Sequence, residues 1–392
     1  MDRRFQFAVV AALVLAAAAP ADEGSGFRVD AQSIERLINE DYAYLDRFPD
    51  NRMPMSRVLR AEAAAVDTRD KLTRYAERAL TALADHHAIT GSSLKDSWAL
   101  VPSYSDLWVE RRGPDFIITA VRSRSPAEQA GVKAGDQLTE VSGFDTRLAV
   151  ERYWGDLGVP MTDEGAGYAA RVLAAGRRQG PRHLTISNSK GARTLSLPNL
   201  YDRGVADRAE VSTAKEGRAL VILIQDSLGD NDTIKAFDAA MAKAELGQRV
   251  IIDLTDTPSG GNTTVARAIL GWFVTKPSFY QMHTIPAEER QYGVARQWVE
   301  QVLPRPGKRH GGPVSVRVGR WTGSMGEGLA IGFDAIGARV EGDRMAGLLG
   351  AIYDYKLENS GMVIKFPVER LFHVNGTPRE HFLPAKLSAP HR

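Results

Sequence analysis

The 392-residue chain contains no cysteine. Disulfides, thiolate metal sites and a cysteine nucleophile are therefore excluded. Neither sign of charge dominates: 50 Lys and Arg stand against 48 Asp and Glu, a formal charge of +2. That balance offers no electrostatic reason to hold nucleic acid or an anionic membrane. Histidine is scarce, eight in all, and no His-Glu-x-x-His stretch occurs, so a zinc peptidase of that kind has no support. After the first 20 or so residues there is no apolar run of membrane-spanning length, no internal repeat and no low-complexity tract. What remains is a globular composition, 43% hydrophobic and 25% charged, at a length that calls for two or three domains.

At the start, Arg3 and Arg4 precede an apolar run over residues 5–19, and Ala19-Pro20-Ala21 has the small-x-small form of a signal-peptidase site. The pattern predicts a signal peptide over residues 1–21, with cleavage after Ala21 and a periplasmic or secreted protein. A retained anchor is the alternative, but the run is short for a bilayer-crossing helix. Export without cysteine suits a bacterial periplasm.

Residues 28–92 read as a small helical N-terminal domain. Ile34, Leu37 and Ile38 recur at helical spacing, as do Leu72, Tyr75, Ala76, Leu80 and Leu83. Over residues 93–200 the texture changes to short strands. Stretches 106–110 and 116–121 flank a turn at Arg112-Gly113-Pro114. Ser125 with Pro126 can start a one-turn helix that Gly131 ends, and Gly135-Asp136 turns the chain into a strand at 137–141. A helix over 161–176 and a hairpin of 183–187 with 192–197 complete the region. The string from Ser125 to Leu138 resembles a PDZ domain of exported bacterial proteases. That resemblance implies docking of an extended peptide, often by its free C-terminus, beside a strand edge. A generic hairpin with a short helix is the plain alternative. From 205 to 388, apolar runs at 219–224 and 250–254 and a strand at 314–318 alternate with helical stretches at 233–243, 262–273 and 325–336. Such alternation implies an α/β unit with a mainly parallel, buried sheet.

The chemistry centres on Thr322-Gly323-Ser324-Met325-Gly326, where the strand 314–318 runs through a short loop into an apolar helix. A serine on such a turn is pushed out of the backbone beside a helix N-terminus, with Gly323 and Gly326 permitting a tight turn. Free amides at the helix start can stabilise an oxyanion. Ser324 as a mere N-cap is the alternative, and Thr322 stands where a Gly-x-Ser-x-Gly motif has its first glycine. A second feature, Pro258-Ser259-Gly260-Gly261-Asn262, follows the apolar run 250–254. Its glycines can bring a backbone N–H to a reacting atom, or simply form a turn. Phosphate binding is disfavoured because the loop has neither a Walker lysine nor Gly-x-Gly-x-x-Gly spacing. For a base, the pair His86-His87 lies at the end of the N-terminal helical pattern, where a solvated helix-end cap is the alternative.

Taken together, the Gly-Gly-Asn loop, the Gly-Ser-Met-Gly-Glu turn and the PDZ-like segment resemble the C-terminal-processing (tail-specific) and tricorn-core family of serine peptidases, over residues 30–386. The resemblance implies a ClpP/crotonase-like catalytic domain over 205–388 and proteolysis with no metal or organic cofactor. In the serine–lysine branch a lysine follows the nucleophile in a segment like Thr-Phe-Gly-Lys-Gly. Here Met345-Ala-Gly-Leu-Leu-Gly350 corresponds, and Leu348 cannot accept a proton. In the tricorn-like branch a Leu-x-Asp-x-His segment supplies the base, and Leu83-Ala84-Asp85-His86-His87 matches it with His87, His86 being the competitor. That branch also implies a C-terminal glutamate, for which Glu380 in Arg379-Glu380-His381 is the match, without the family's flanking glycine and valine.

The reading that results is an exported serine endopeptidase acting on polypeptides. Ser324 is expected as nucleophile, His87 as base and Glu380 as its support, with N–H groups of Met325 and Gly260 or Gly261 forming the oxyanion hole. The rivals are an inactive peptide-binding scaffold and a non-peptide acyl hydrolase of the same fold.

Overall fold

The computed structural model describes residues 23–201, 209–225 and 228–386. The expected signal peptide lies outside the described residues, as do 202–208, 226–227 and the last few positions. Among the described residues no helix is long and apolar enough to cross a membrane.

The chain begins with three helices, α1 (Glu23–Asp41), α2 (Arg57–Ala64) and α3 (Arg69–Thr81). Ser56 and Thr68 cap α2 and α3 by accepting from Leu59 N and Lys71 N, as hydroxyl N-caps do. After a short strand β1 (Ile89–Thr90) comes a β-rich stretch: β2 (Leu107–Arg112), β3 (Asp115–Val121), α4 (Pro126–Gln129), β4 (Gln137–Val141), β5 (Phe144–Asp145), α5 (Thr146–Gly155), α6 (Asp163–Ala175), β6 (Arg182–Asn188) and β7 (Gly191–Leu197). Ser125 caps α4 as its sequence suggests, with Pro126 in the first turn. The strands form an antiparallel sheet in the order β2-β3-β4-β6-β7, with β5 on β4. α6, rich in small residues and buried along most of its length, lies against β2. Its Arg171 Nη1 donates to Val109 O at 3.2 Å.

The remainder supplies β8 (Val211–Glu216), β9 (Ala219–Ile224), α7 (Asp232–Met241), β10 (Val250–Asp253), α8 (Thr263–Leu270), β11 (Ser278–Thr284), α9 (Pro286–Tyr292), β12 (Gln297–Val302), β13 (Val314–Val318), α10 (Met325–Ala335), β14 (Arg339–Gly342), β15 (Ala351–Lys356) and β16 (Val363–Phe372). Strands β9, β10, β13 and β14 are parallel, with β8 antiparallel on the edge. The expected parallel sheet is therefore present, and its Val/Ile-rich strands are covered by buried helix faces, with Ile222, Ile252, Val316, Leu329 and Phe333 in one core.

A third sheet, β1-β16-β11-β12 with β15 on β16, is antiparallel. The sequence reading assigns no strands over 278–302 or 351–372; β11 has no clean alternation, and β16 is buried on both faces near its middle. This sheet matters most for the site. β1 pairs with β16 through only two residue pairs, Ile89↔Lys365 and Thr90↔Ile364. They anchor the end of the N-terminal helices to the C-terminal part of the chain. One continuous core then runs from α1 and α3 through the β-rich sheet to Trp321, Leu348, Ile364 and Phe366.

Candidate active site

Ser324 sits between β13 and α10 with φ 53° and ψ −119°, a conformation that costs a non-glycine residue free energy. The surroundings hold it there. Gly323 N donates to Thr257 O at 2.9 Å, and a Cβ on Gly323 would lie 2.4 Å from Pro258 O. Only glycine permits so close an approach. Thr322, which breaks the expected glycine pattern, has a bonding reason to be there: its hydroxyl donates to Leu254 O at 2.7 Å and accepts from Gly319 N at 3.0 Å. The Thr257 hydroxyl in turn donates to Ile224 O. The serine turn and the Gly260-Gly261 loop are thus laced together across the parallel sheet. Gly260 has φ 154°, and a Cβ there would lie 3.0 Å from Met325 Cβ, so this loop abuts the first residue of α10.

The Ser324 side chain does not act as a simple N-cap. Its Oγ lies 3.0 Å from His87 Nε2. His87 Nδ1 is 2.6 Å from Leu349 O. A carbonyl only accepts, so Nδ1 carries the proton and Nε2 presents its lone pair to the Ser324 hydroxyl. The main chain of His87 is held as well, donating to Asp85 Oδ1 at 2.9 Å, while Tyr42 donates to Asp85 Oδ2 at 2.9 Å. Burial raises the Asp85 carboxyl to about 6. Burial lowers His87 to about 4, with the Arg379 guanidinium adding to the effect, so the imidazole is neutral over the physiological range. His86 points elsewhere. It stacks on Tyr168 at 4.3 Å and accepts from Arg171 Nε at 2.9 Å.

Behind the serine, the fully buried Glu327 accepts from Ser324 N at 3.0 Å, Gly347 N at 2.8 Å and Leu348 N at 3.2 Å. Its Oε2 is 3.9 Å from Arg379 Nη2. Burial raises this carboxyl to about 7, against the opposing pull of Arg379 and the three amides. Arg379 is itself buried and donates to Leu348 O and Gly350 O, each at 2.8 Å, and to Ser324 O at 3.3 Å.

Of the residues expected from sequence, Ser324, His87, Met325 and Gly260 come together. Gly261 adjoins them, with no atom within 4 Å of where a Cβ would stand. The Leu348 side chain is buried and apolar, so it offers no base. Glu380 lies on a 3₁₀ turn (Arg379–His381) close to the site, with Glu380 O 4.0 Å from a Cβ position on Gly347. Its carboxylate is not the group bonded to His87, since Leu349 O occupies Nδ1, and its Oε2 is buried without a hydrogen-bond partner among the described residues. Sequence reasoning overlooked Arg379 and the Leu349 carbonyl. An arginine near the C-terminus has no local pattern to distinguish it, and a carbonyl is invisible in side-chain motifs.

The fold is one seen before in solved structures. The photosystem II D1 C-terminal processing protease matches with a TM-score of 0.57 at 15% identity, over 92% of this chain and 93% of that one. Mature CPAF matches with a TM-score of 0.56 at 14% identity, over 93% of this chain and 92% of that one. At such identities the likeness is one of fold. No protein-family model matches the sequence, and neither does any curated protein.

Proposed function

We propose that the chain is a serine endopeptidase that cleaves polypeptides through an acyl-enzyme on Ser324. The observation that carries this reading is the 3.0 Å approach of Ser324 Oγ to a His87 Nε2 whose other ring nitrogen is committed to a carbonyl. The fold shared with processing proteases supports it. Ser324 Oγ bonds to the scissile carbonyl carbon as its proton passes to His87 Nε2. The proton then goes to the leaving amine as the C–N bond breaks. Water, deprotonated by the same nitrogen, attacks the ester and restores Ser324. The amide of Met325, free of intrahelical bonding at the helix start, and that of Gly260 or Gly261 would hold the oxyanion. This chemistry calls for no metal or organic cofactor.

In this reading residues 205–388 form a ClpP/crotonase-like catalytic unit, and the β-rich region over 93–200 is a PDZ-like module that presents or gates the substrate. Three contacts support a gating role by tying that region to both site loops. Arg122 Nε donates to Asp256 at 2.6 Å, Trp321 Nε1 donates to Ser105 O at 2.8 Å, and Arg320 pairs with Glu110. The leader over 1–21 would direct the protein to the periplasm or outside the cell.

A fluorophosphonate probe tests the central claim. Wild-type protein should label at neutral pH, while Ser324→Ala should not label and His87→Ala should label at least about 10²-fold more slowly. Folded wild-type protein that never labels would indicate a binding scaffold instead. Turnover of esters but not peptides would indicate an acyl hydrolase of another kind.

A further inference from the structure

The base has a second ring nitrogen, and the groups around it do not follow the order Ser–His–carboxylate. His87 Nδ1 donates to Leu349 O at 2.6 Å. That carbonyl belongs to a three-residue bridge, Leu348-Leu349-Gly350, whose two flanking carbonyls are both bound by Arg379 Nη2 at 2.8 Å. Arg379 Nη1 also donates to Ser324 O at 3.3 Å. One buried guanidinium therefore touches the main chain on both sides of the His87 partner and the main chain of Ser324. Gly350 fits this clamp tightly, since a Cβ there would lie 2.0 Å from Glu369 O and 3.1 Å from a Tyr44 ring carbon.

We infer that Arg379 is the positioning residue for the base: by gripping Leu348 O and Gly350 O it aims Leu349 O at His87 Nδ1, and Glu380 has no part in orienting the imidazole. The inference rests on the peptidase reading for its functional meaning, and goes beyond it in replacing the carboxylate of the triad by a carbonyl under a cation.

The charged and titratable groups facing His87 come from several elements. Asp85 accepts from its main-chain N–H, Arg379 and Glu380 come from the C-terminal 3₁₀ turn, and Glu327 comes from α10, its charge opposed by Arg379. Arg379 is the charged group that acts appreciably on the imidazole, lowering its proton affinity alongside burial, to about 4. A neutral carbonyl partner does not offset this as a carboxylate would. The neutral base is thus retained into acid solution, and the proton it accepts is released readily to the leaving amine. Because the folded value lies below the ordinary 6.5, the protonated, inactive form appears only as pH falls through about 4.

The test combines ¹⁵N NMR of the His87 imidazole with fluorophosphonate labelling rates across the acid and neutral range, on the full chain. In wild type the Nδ1–H tautomer and a titration near pH 4 are expected. Glu380→Gln should leave both the titration and the labelling rate within about 3-fold of wild type, because it removes no bond to the ring. Arg379→Lys keeps the charge but not the two-carbonyl grip. It should label on the order of 10²-fold more slowly, with the His87 titration little changed. Arg379→Gln should be as slow, with the titration moved up by about one unit. A titration above pH 6 in wild type, or one that moves in Glu380→Gln, overturns the inference even if the arginine variants fail to fold. So does a wild-type labelling rate in Arg379→Lys. Absence of labelling in wild type, with the NMR result as expected, would sink the peptidase reading but leave the orientation of the imidazole by Arg379 and Leu349 standing.

Discussion

Ser324 holds a left-handed backbone conformation without being glycine, and three neighbours share the cost. Gly323 lets the turn press against Pro258 O, Thr322 ties the loop to Leu254, and Glu327 accepts the serine's own N–H. Gly323 and Glu327 each make a prediction. Gly323→Ala would push a methyl to 2.4 Å from Pro258 O, so the turn must shift. Labelling should fall by about 10²-fold or more, as a displacement of the nucleophile would require. Glu327→Gln replaces an acceptor of three amides by one that presents a single carbonyl oxygen. Urea denaturation should show a loss of about 1–3 kcal/mol, the cost of leaving a buried amide without its acceptor. An unchanged stability would mean that these three bonds do not hold the turn.

At the scale of elements, the two loops of the site are carried by strands whose character was plain in the sequence. The β9 and β10 runs are nearly continuous apolar stretches, β13 places a valine at every second position, and α10 follows β13 after one short loop, so each position was predicted within a residue or two. The antiparallel sheet was not legible. Its β15–β16 and β11–β12 pairings depend on partners in other parts of the chain, and their side-chain patterns are those of strands buried unevenly on both faces. The same holds for the tie between the β-rich sheet and the site. Trp321→Phe keeps the ring and removes the N–H that donates to Ser105 O. About 1 kcal/mol of stability should be lost, measurable as a lowered thermal midpoint. Arg122→Ala breaks the half-buried pair with Asp256 on the Gly260-Gly261 loop. If the β-rich region gates the site, labelling of that variant should slow by about 5- to 10-fold, with the rate recovering in Arg122→Lys. An unchanged rate in Arg122→Ala would dissociate that sheet from the chemistry.

For the whole molecule, the expected leader makes a separate prediction. Expressed in a bacterium with two membranes, the mature protein should begin at Asp22, read by N-terminal mass spectrometry of the periplasmic fraction; full-length protein retained in the cytoplasm would count against export. The sequence by itself pointed to Ser324 and, through a family resemblance, to His87 with His86 as its competitor. A serine on a strand-to-helix turn and a histidine after a helical segment are local features, recorded in short-range patterns of glycine, apolar residues and chain breaks. Only the tertiary structure decided that they meet, because Ser324 and His87 are 237 residues apart and their segments are joined by the β1–β16 pairing, a shared core and the bond from His87 to Leu349 O. It also decided what holds the base. Hydrogen bonds to main-chain carbonyls, and a buried arginine that organises them, depend on where distant segments pass one another. No residue pattern near His87 encodes that crossing, so Glu380 stood out in the sequence and Arg379 beside it did not.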